Sequence, residues 1–215
     1  VPAKFEAARR FGFDGVSLPG RFMSDWLAPM REHLPDCPLP RFAISLGFES
    51  SLLHPDVSER ARCRESIVRL LDIAAELGVP RLNIAPVLIC DNPVRIQGPD
   101  ARETQDRLLK EQLPGLGDEA RSRNVTFLLE PVNRYESDYL NSIVHAAAIT
   151  REINHPNVAI TADLFHMQME ELDPAAALRA AADQLGFVHV AENTRVEPGV
   201  GSLDFKSPFT ALQQS

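Results

Sequence analysis

Cysteine is scarce in this 215-residue chain: Cys37, Cys63 and Cys90 are odd in number, widely spaced and in no CxxC pair. That spacing suits neither a disulfide framework nor a thiolate zinc site, so three reduced thiols are expected. Basic residues are in deficit, 22 against 30 acids, for a formal net charge of -8. Surfaces that track nucleic-acid phosphates are built from clustered Lys and Arg, and no nucleic-acid partner is expected. No stretch approaches the roughly 20 apolar residues of a membrane helix, and the opening VPAKFEAARRFGFDG is amphipathic rather than signal-like. These absences predict a cytoplasmic protein with no membrane partner. Neither GxGxxG nor a P-loop occurs, so no nucleotide cofactor is expected. No linker-like or low-complexity segment divides the chain, which is read as one domain over 1–215.

What is present is an alternation of short apolar runs and longer helical patterns, in a chain 44% hydrophobic and 24% charged, the balance of a soluble globular domain. The runs DGVSL (14–18), RFAISLG (41–47), PRLNIAP (80–86), VTFLLEP (125–131), NVAITAD (157–163) and GFVHVAE (186–192) predict six strands. Between them, 58–78, 101–124, 141–153 and 173–186 carry apolar residues at helical spacing. Gly78, Asp173-Pro174 and Gly186 mark helix ends, and Pro114 with Gly115 and Gly117 predicts a bent or split helix over 101–124. Parallel strands joined by crossover helices make an α/β fold. A doubly wound sheet normally carries a glycine-rich first turn, so its absence favours the (β/α)8 TIM barrel. Such barrels take about 250 residues and eight strands. The chain opens inside a helix and ends in SPFTALQQS, another helix. The expectation is therefore a barrel with strands two to seven present, the first and eighth missing, and the second and seventh unpaired with each other.

Ligands bind at the carboxyl ends of strands in parallel βα folds, which gives polar residues there special weight. In FLLEPVNRYESDYLNS the apolar run stops at Glu130, and Pro131 cannot continue a ladder. The next strand ends in Asp163, and the last contains His189. Each has an ordinary explanation: a strand-ending acid often caps the following helix, and a strand histidine often packs in the core. Two carboxylates and an imidazole on successive strand ends instead suit one divalent cation such as Mn²⁺, Mg²⁺, Co²⁺ or Zn²⁺. Trp26, Phe48 and Met167 are read as core packing rather than pocket wall.

The segments LLEPVNRYESDYLN (128–141), DLFHMQMEE (163–171) and HVAENTRVEPGVGSLDF (189–205), with GFDGVSL and LGVPRLNI in support, resemble the sugar phosphate isomerase and epimerase group of xylose isomerase-like TIM barrels. Ketose 3-epimerases and hydroxypyruvate isomerases are members. The resemblance implies a metal held by Glu130, Asp163 and His189, with Glu130 also the catalytic base, and substrate contacts from Glu136, His166 and Arg195. It implies a small sugar as partner and leaves a homo-oligomer open. A fourth family ligand, a glutamate ending the eighth strand, has no counterpart before Ser215. The implied activity is isomerisation or epimerisation of a ketose or hydroxycarbonyl compound through an enediolate. An inosose dehydratase-like reaction and a non-catalytic sugar-binding barrel are the alternatives. The related apurinic-site endonucleases need more metal ligands and a basic face than this chain offers.

Overall fold

All six apolar runs form strands, and the strands pair in parallel and in strict sequence order: β1 (Val16–Pro19), β2 (Arg41–Ser45), β3 (Arg81–Ile84), β4 (Thr126–Leu129), β5 (Val158–Asp163) and β6 (Leu185–His189). The computed structural model describes residues 1–88 and 94–214; Cys90 lies outside them. Among the described residues β1 and β6 are the edges of the sheet and do not pair with each other. Strands that are not neighbours nevertheless touch. Thr161 on β5 donates to Asn83 Oδ1 on β3 at 2.6 Å, and the Arg81 guanidinium of β3 lies 5.5 Å from the Phe187 ring centroid of β6. The sheet is therefore curled around a filled interior, in the manner of a TIM barrel.

Side-chain alternation decides what faces that interior. Arg81 and Asn83, Leu128 and Glu130, Thr161 and Asp163, and Phe187 and His189 occupy alternate positions along their strands and turn inward. The intervening Leu82, Ile84, Phe127, Leu129, Ile160 and Ala162 are fully buried in the main apolar core. That core also takes the inner faces of the crossover helices α1 (Pro2–Arg10), α2 (Met23–His33), α3 (Val57–Glu76), α4 (Ala101–Ser122), α5 (Ile143–Ile153), α6 (Leu164–Glu170), α7 (Pro174–Ala181) and α8 (Lys206–Gln213). Met167 is buried there, with Trp26 and Phe48 packed against it. Cys37 and Cys63 are free, and burial pushes the Cys63 thiol up to about 12, which makes it inert.

The structure departs from the sequence expectation at four elements. Of the bent or split helix expected over 101–124, the split is absent: α4 runs through Pro114 as one helix. An interior proline costs about 3 kcal/mol, but α4 buries Leu108, Leu109, Leu113 and Leu116, each contributing about 1.5–3 kcal/mol, and packing wins. Gly186 does not close a helix. α7 ends at Ala181, a 3-10 turn spans Ala182–Gln184, and Gly186 lies inside β6. It is the extra residue of a bulge: Ile160 pairs with Leu185 but Thr161 with Phe187. A Cβ there would stand 2.7 Å from Leu128 Cδ2 and 2.9 Å from the Ala159 Cβ, so only glycine fits the curled interior. Finally, α2 and the short α6 replace stretches with no assigned structure.

Candidate active site

The strand register sets the site. Asp163 and His189 are direct partners in the β5–β6 ladder, and Glu130 follows β4 immediately, its N–H donating to Ile84 O. His189 Nδ1 lies 2.6 Å from Glu130 Oε1 and 3.8 Å from Asp163 Oδ2. Glu130 is 6% exposed and Asp163 9%, so neither charge is solvated as it would be in water. Asp163 also performs the ordinary task foreseen for it: Oδ1 accepts from Phe165 N–H at 2.8 Å and caps α6, leaving Oδ2 for the cluster. Beneath them runs a buried chain in which Thr161 donates to Asn83 and the Asn83 amide donates to Glu130 Oε2 at 2.6 Å. One Glu130 oxygen is thus committed to the scaffold and the other to the site.

The electrostatics follow from crowding. Burial alone would raise the Glu130 carboxyl, but the bond and charge of His189 and the Asn83 amide outweigh it, and its pKa lies below the ordinary value. Asp163 is pushed up, first by burial and then by the Glu130 charge, against the pull of His166 and His189. Burial would lower His189, yet Glu130 and Asp163 together raise it. The cluster carries more negative charge than its protein neighbours balance. Two buried carboxylates facing one imidazole nitrogen form a donor set that a divalent cation fits.

Glu136 from the loop after β4, His166 from α6 and Arg195 from the loop after β6 meet on one side of this cluster. Arg195 pairs with Glu136, and its guanidinium stacks 4.0 Å from the Phe165 ring centroid. His166 is buried, with Nε2 3.8 Å from Asp163 Oδ2. The carboxylates and imidazole whose ligand atoms all lie within 4.8 Å of one another are Glu130, Asp163 and His166, not His189, so distance alone assigns the metal role to His166 rather than to the histidine expected from the sequence. Asn133 ties the loop after β4 to α6: its amide donates to Glu136 Oε1 at 3.0 Å and lies 2.7 Å from His166 Nδ1.

Sequence reasoning missed Asn83, Asn133 and Glu192. Asn83 sits between Leu82 and Ile84 in a short strand, where only alternation points it inward. Glu192 is 1% exposed at the start of the loop after β6. Its Oε1 accepts from Gly199 N–H at 3.0 Å and its Oε2 from Leu203 N–H at 3.2 Å, so one carboxylate folds the segment that carries Arg195. Burial would raise Glu192, but these backbone donors outweigh it and lower its pKa. The signal available was a charged residue shortly after a strand end, ahead of the glycines of the PGVG turn.

A 3-dehydro-D-guloside 4-epimerase of Escherichia coli is 26% identical over 212 residues, 98% of this chain and 81% of its own length. An L-ribulose 3-epimerase of a Methylomonas species is 30% identical over 211 residues, 96% of this chain and 72% of its own. Among solved structures, a Methylomonas D-allulose 3-epimerase in complex with D-allulose superposes with a TM-score of 0.85 at 28% identity, over 99% of this chain and 73% of that one. Residues 5–215 match the family described as the xylose isomerase-like TIM barrel. With that match across nearly the whole chain, and a curled parallel sheet with its polar cluster at the strand ends, the protein belongs to the xylose isomerase-like TIM barrel family.

Proposed function

We propose that this protein is a sugar epimerase, assisted by one divalent metal ion, that inverts a hydroxyl-bearing carbon next to a ketone. The observation that carries the reading is the convergence of Glu130, Asp163 and His189 at 2.6 and 3.8 Å on successive strand ends. Both relatives' names describe inversion beside a carbonyl, at carbon 3 of a 2-ketose or carbon 4 of a 3-dehydro sugar. A hydrogen on such a carbon is weakly acidic, and its removal gives an enediolate.

Glu130, Asp163 and His189 would hold the ion, which when bound supplies Lewis acidity to the sugar's carbonyl and adjacent hydroxyl oxygens. Glu130 serves as the base: Asn83 fixes Oε2, and Oε1 faces the site with a lowered proton affinity that keeps it ionised near neutral pH. Glu136, His166 and Arg195 bind and orient the sugar hydroxyls, and Phe165 backs the Arg195 plane. Return of the proton to the opposite face gives the epimer and needs a second acid. The family resemblance assigns that part to the eighth-strand glutamate, which has no counterpart before Ser215.

The test is product analysis by NMR after incubating 2-ketopentoses and 2-ketohexoses with Mn²⁺-loaded protein in D₂O. Expected is a 3-epimer carrying deuterium at carbon 3, with turnover lost on chelation. A dehydrated product, or unchanged turnover without metal, rejects the reading.

Metal affinity should depend on pH in a stated direction. The His189 proton is held above the histidine value of 6.5 by burial overcome by its carboxylate partners, and an ion bound at Nδ1 must displace it. Affinity is full above the raised pKa and falls as the pH drops through it, by about tenfold per unit once the proton is bound. Calorimetric titration of the metal-free protein with Mn²⁺ at about pH 8 and about pH 6 measures this. Equal affinities at the two values would remove His189 from the ligand set.

A further inference from the structure

We propose that Asn133 is a positioning residue that fixes which nitrogen of His166 carries the proton, and so makes His166 a hydrogen-bond donor to the sugar rather than a metal ligand. The inference rests on the epimerase reading for its substrate, but not for its geometry. The Asn133 backbone N–H, a group that only donates, points at His166 Nδ1 over 3.1 Å. Nδ1 is therefore an acceptor, and in the neutral ring the proton resides on Nε2.

The Asn133 side chain enforces the same choice from a second direction. Its Oδ1 is occupied by the Tyr135 N–H at 3.0 Å, which turns Nδ2 toward Glu136 Oε1 at 3.0 Å and His166 Nδ1 at 2.7 Å. Every partner has the correct polarity in this arrangement, and reversing the amide would set its oxygen against a carboxylate. Asn133 is 2% exposed and His166 4%, so water does not compete for these bonds.

Two consequences follow. A nitrogen that holds a proton has no lone pair for a metal, so Nε2, the atom facing Asp163, cannot complete the ion's coordination in this tautomer. Proximity places His166 with Glu130 and Asp163, whereas the hydrogen bonding removes it and leaves His189 as the imidazole ligand. The same Asn133 amide also holds Glu136, so one side chain sets two of the three groups that meet the sugar.

The tautomer can be read directly. Protein labelled with ¹⁵N at histidine, with the His166 resonances assigned through His166→Gln, should show a protonated Nε2 and a bare Nδ1, and added Mg²⁺ should leave both unchanged. In Asn133→Asp the new carboxylate accepts from the ring and repels Glu136. The backbone N–H still favours a bare Nδ1 while the carboxylate favours a protonated one, so the two ¹⁵N signals should become averaged between the tautomers, and kcat should fall about 10- to 100-fold, the usual cost of losing an orienting partner, with Mg²⁺ affinity held within about threefold. A protonated Nδ1 with bare Nε2 in the unaltered protein, loss of the Nε2 proton on adding Mg²⁺, or unchanged kcat and KM in Asn133→Asp would each overturn the proposal. If the unaltered protein turns over no ketose, the epimerase reading fails, and the NMR measurements decide the tautomer alone.

Discussion

On the proposed function, Glu130→Gln should lower kcat for ketose epimerisation by about 10³-fold or more, within the range for removing a positioned general base. The substitution is nearly isosteric, so the barrel interior is preserved and the loss falls on chemistry. An amide cannot take the sugar's proton, and it is a weaker ligand for a divalent ion than a carboxylate. It also deprives His189 of the ionised partner at 2.6 Å, so the imidazole loses its orientation together with its raised proton affinity. Steady-state kinetics at saturating Mn²⁺ separates the two losses: a metal defect is relieved by more metal, and the missing base is not. Activity within tenfold of the unaltered protein at high Mn²⁺ would remove Glu130 from the base role.

Glu192→Ala lowers kcat/KM by about 10- to 100-fold, mostly through KM, although Glu192 touches no reacting atom. The carboxylate gathers the Gly199, Leu203 and Asn193 N–H groups, while the backbone of the same residue bonds Val196 and Arg195. Arg195 sits in this loop at a φ of 59°, a left-handed conformation that a non-glycine residue holds only when its surroundings enforce it. Without the carboxylate that enforcement goes, and the guanidinium no longer rests on Phe165. Glu192→Gln, which still offers one oxygen, should lose less. Amide exchange should quicken across residues 193–203 and remain slow in β4 and β5. A KM unchanged in Glu192→Ala would show that the loop holds its shape by other means.

The strands were legible because each is a short apolar run bounded by turn-forming residues, and the clustering of Glu130, Asp163 and His189 was legible because polar groups at the ends of such runs stand out against them. α2 escaped notice for a physical reason: it starts at Phe22 in a left-handed conformation with no side-chain cap and contains Pro29, so its local signals argue against a helix. α6 is only seven residues long and is buried on the site side, which erases the amphipathic pattern that marks a surface helix. The bulge at Gly186 exists only because of what Leu128 and Ala159 do from other strands. Asn83, Asn133 and Glu192 belong to the same class. Their partners are tens of residues away or are backbone groups, and no motif within the local sequence encodes them.

The strict sequence order of the sheet also bears on how the chain is made. Each ladder joins strands that are adjacent in sequence, so every pairing closes one βα unit, and the entropy of closure rises only slowly with its length. Synthesis itself runs from the N-terminal side. β1, β2 and β3 can find one another before Glu130, Asp163 or His189 has left the ribosome. The residues of these three strands therefore leave the ribosome before those of the candidate cluster, and none of their ladder bonds requires Glu130, Asp163 or His189.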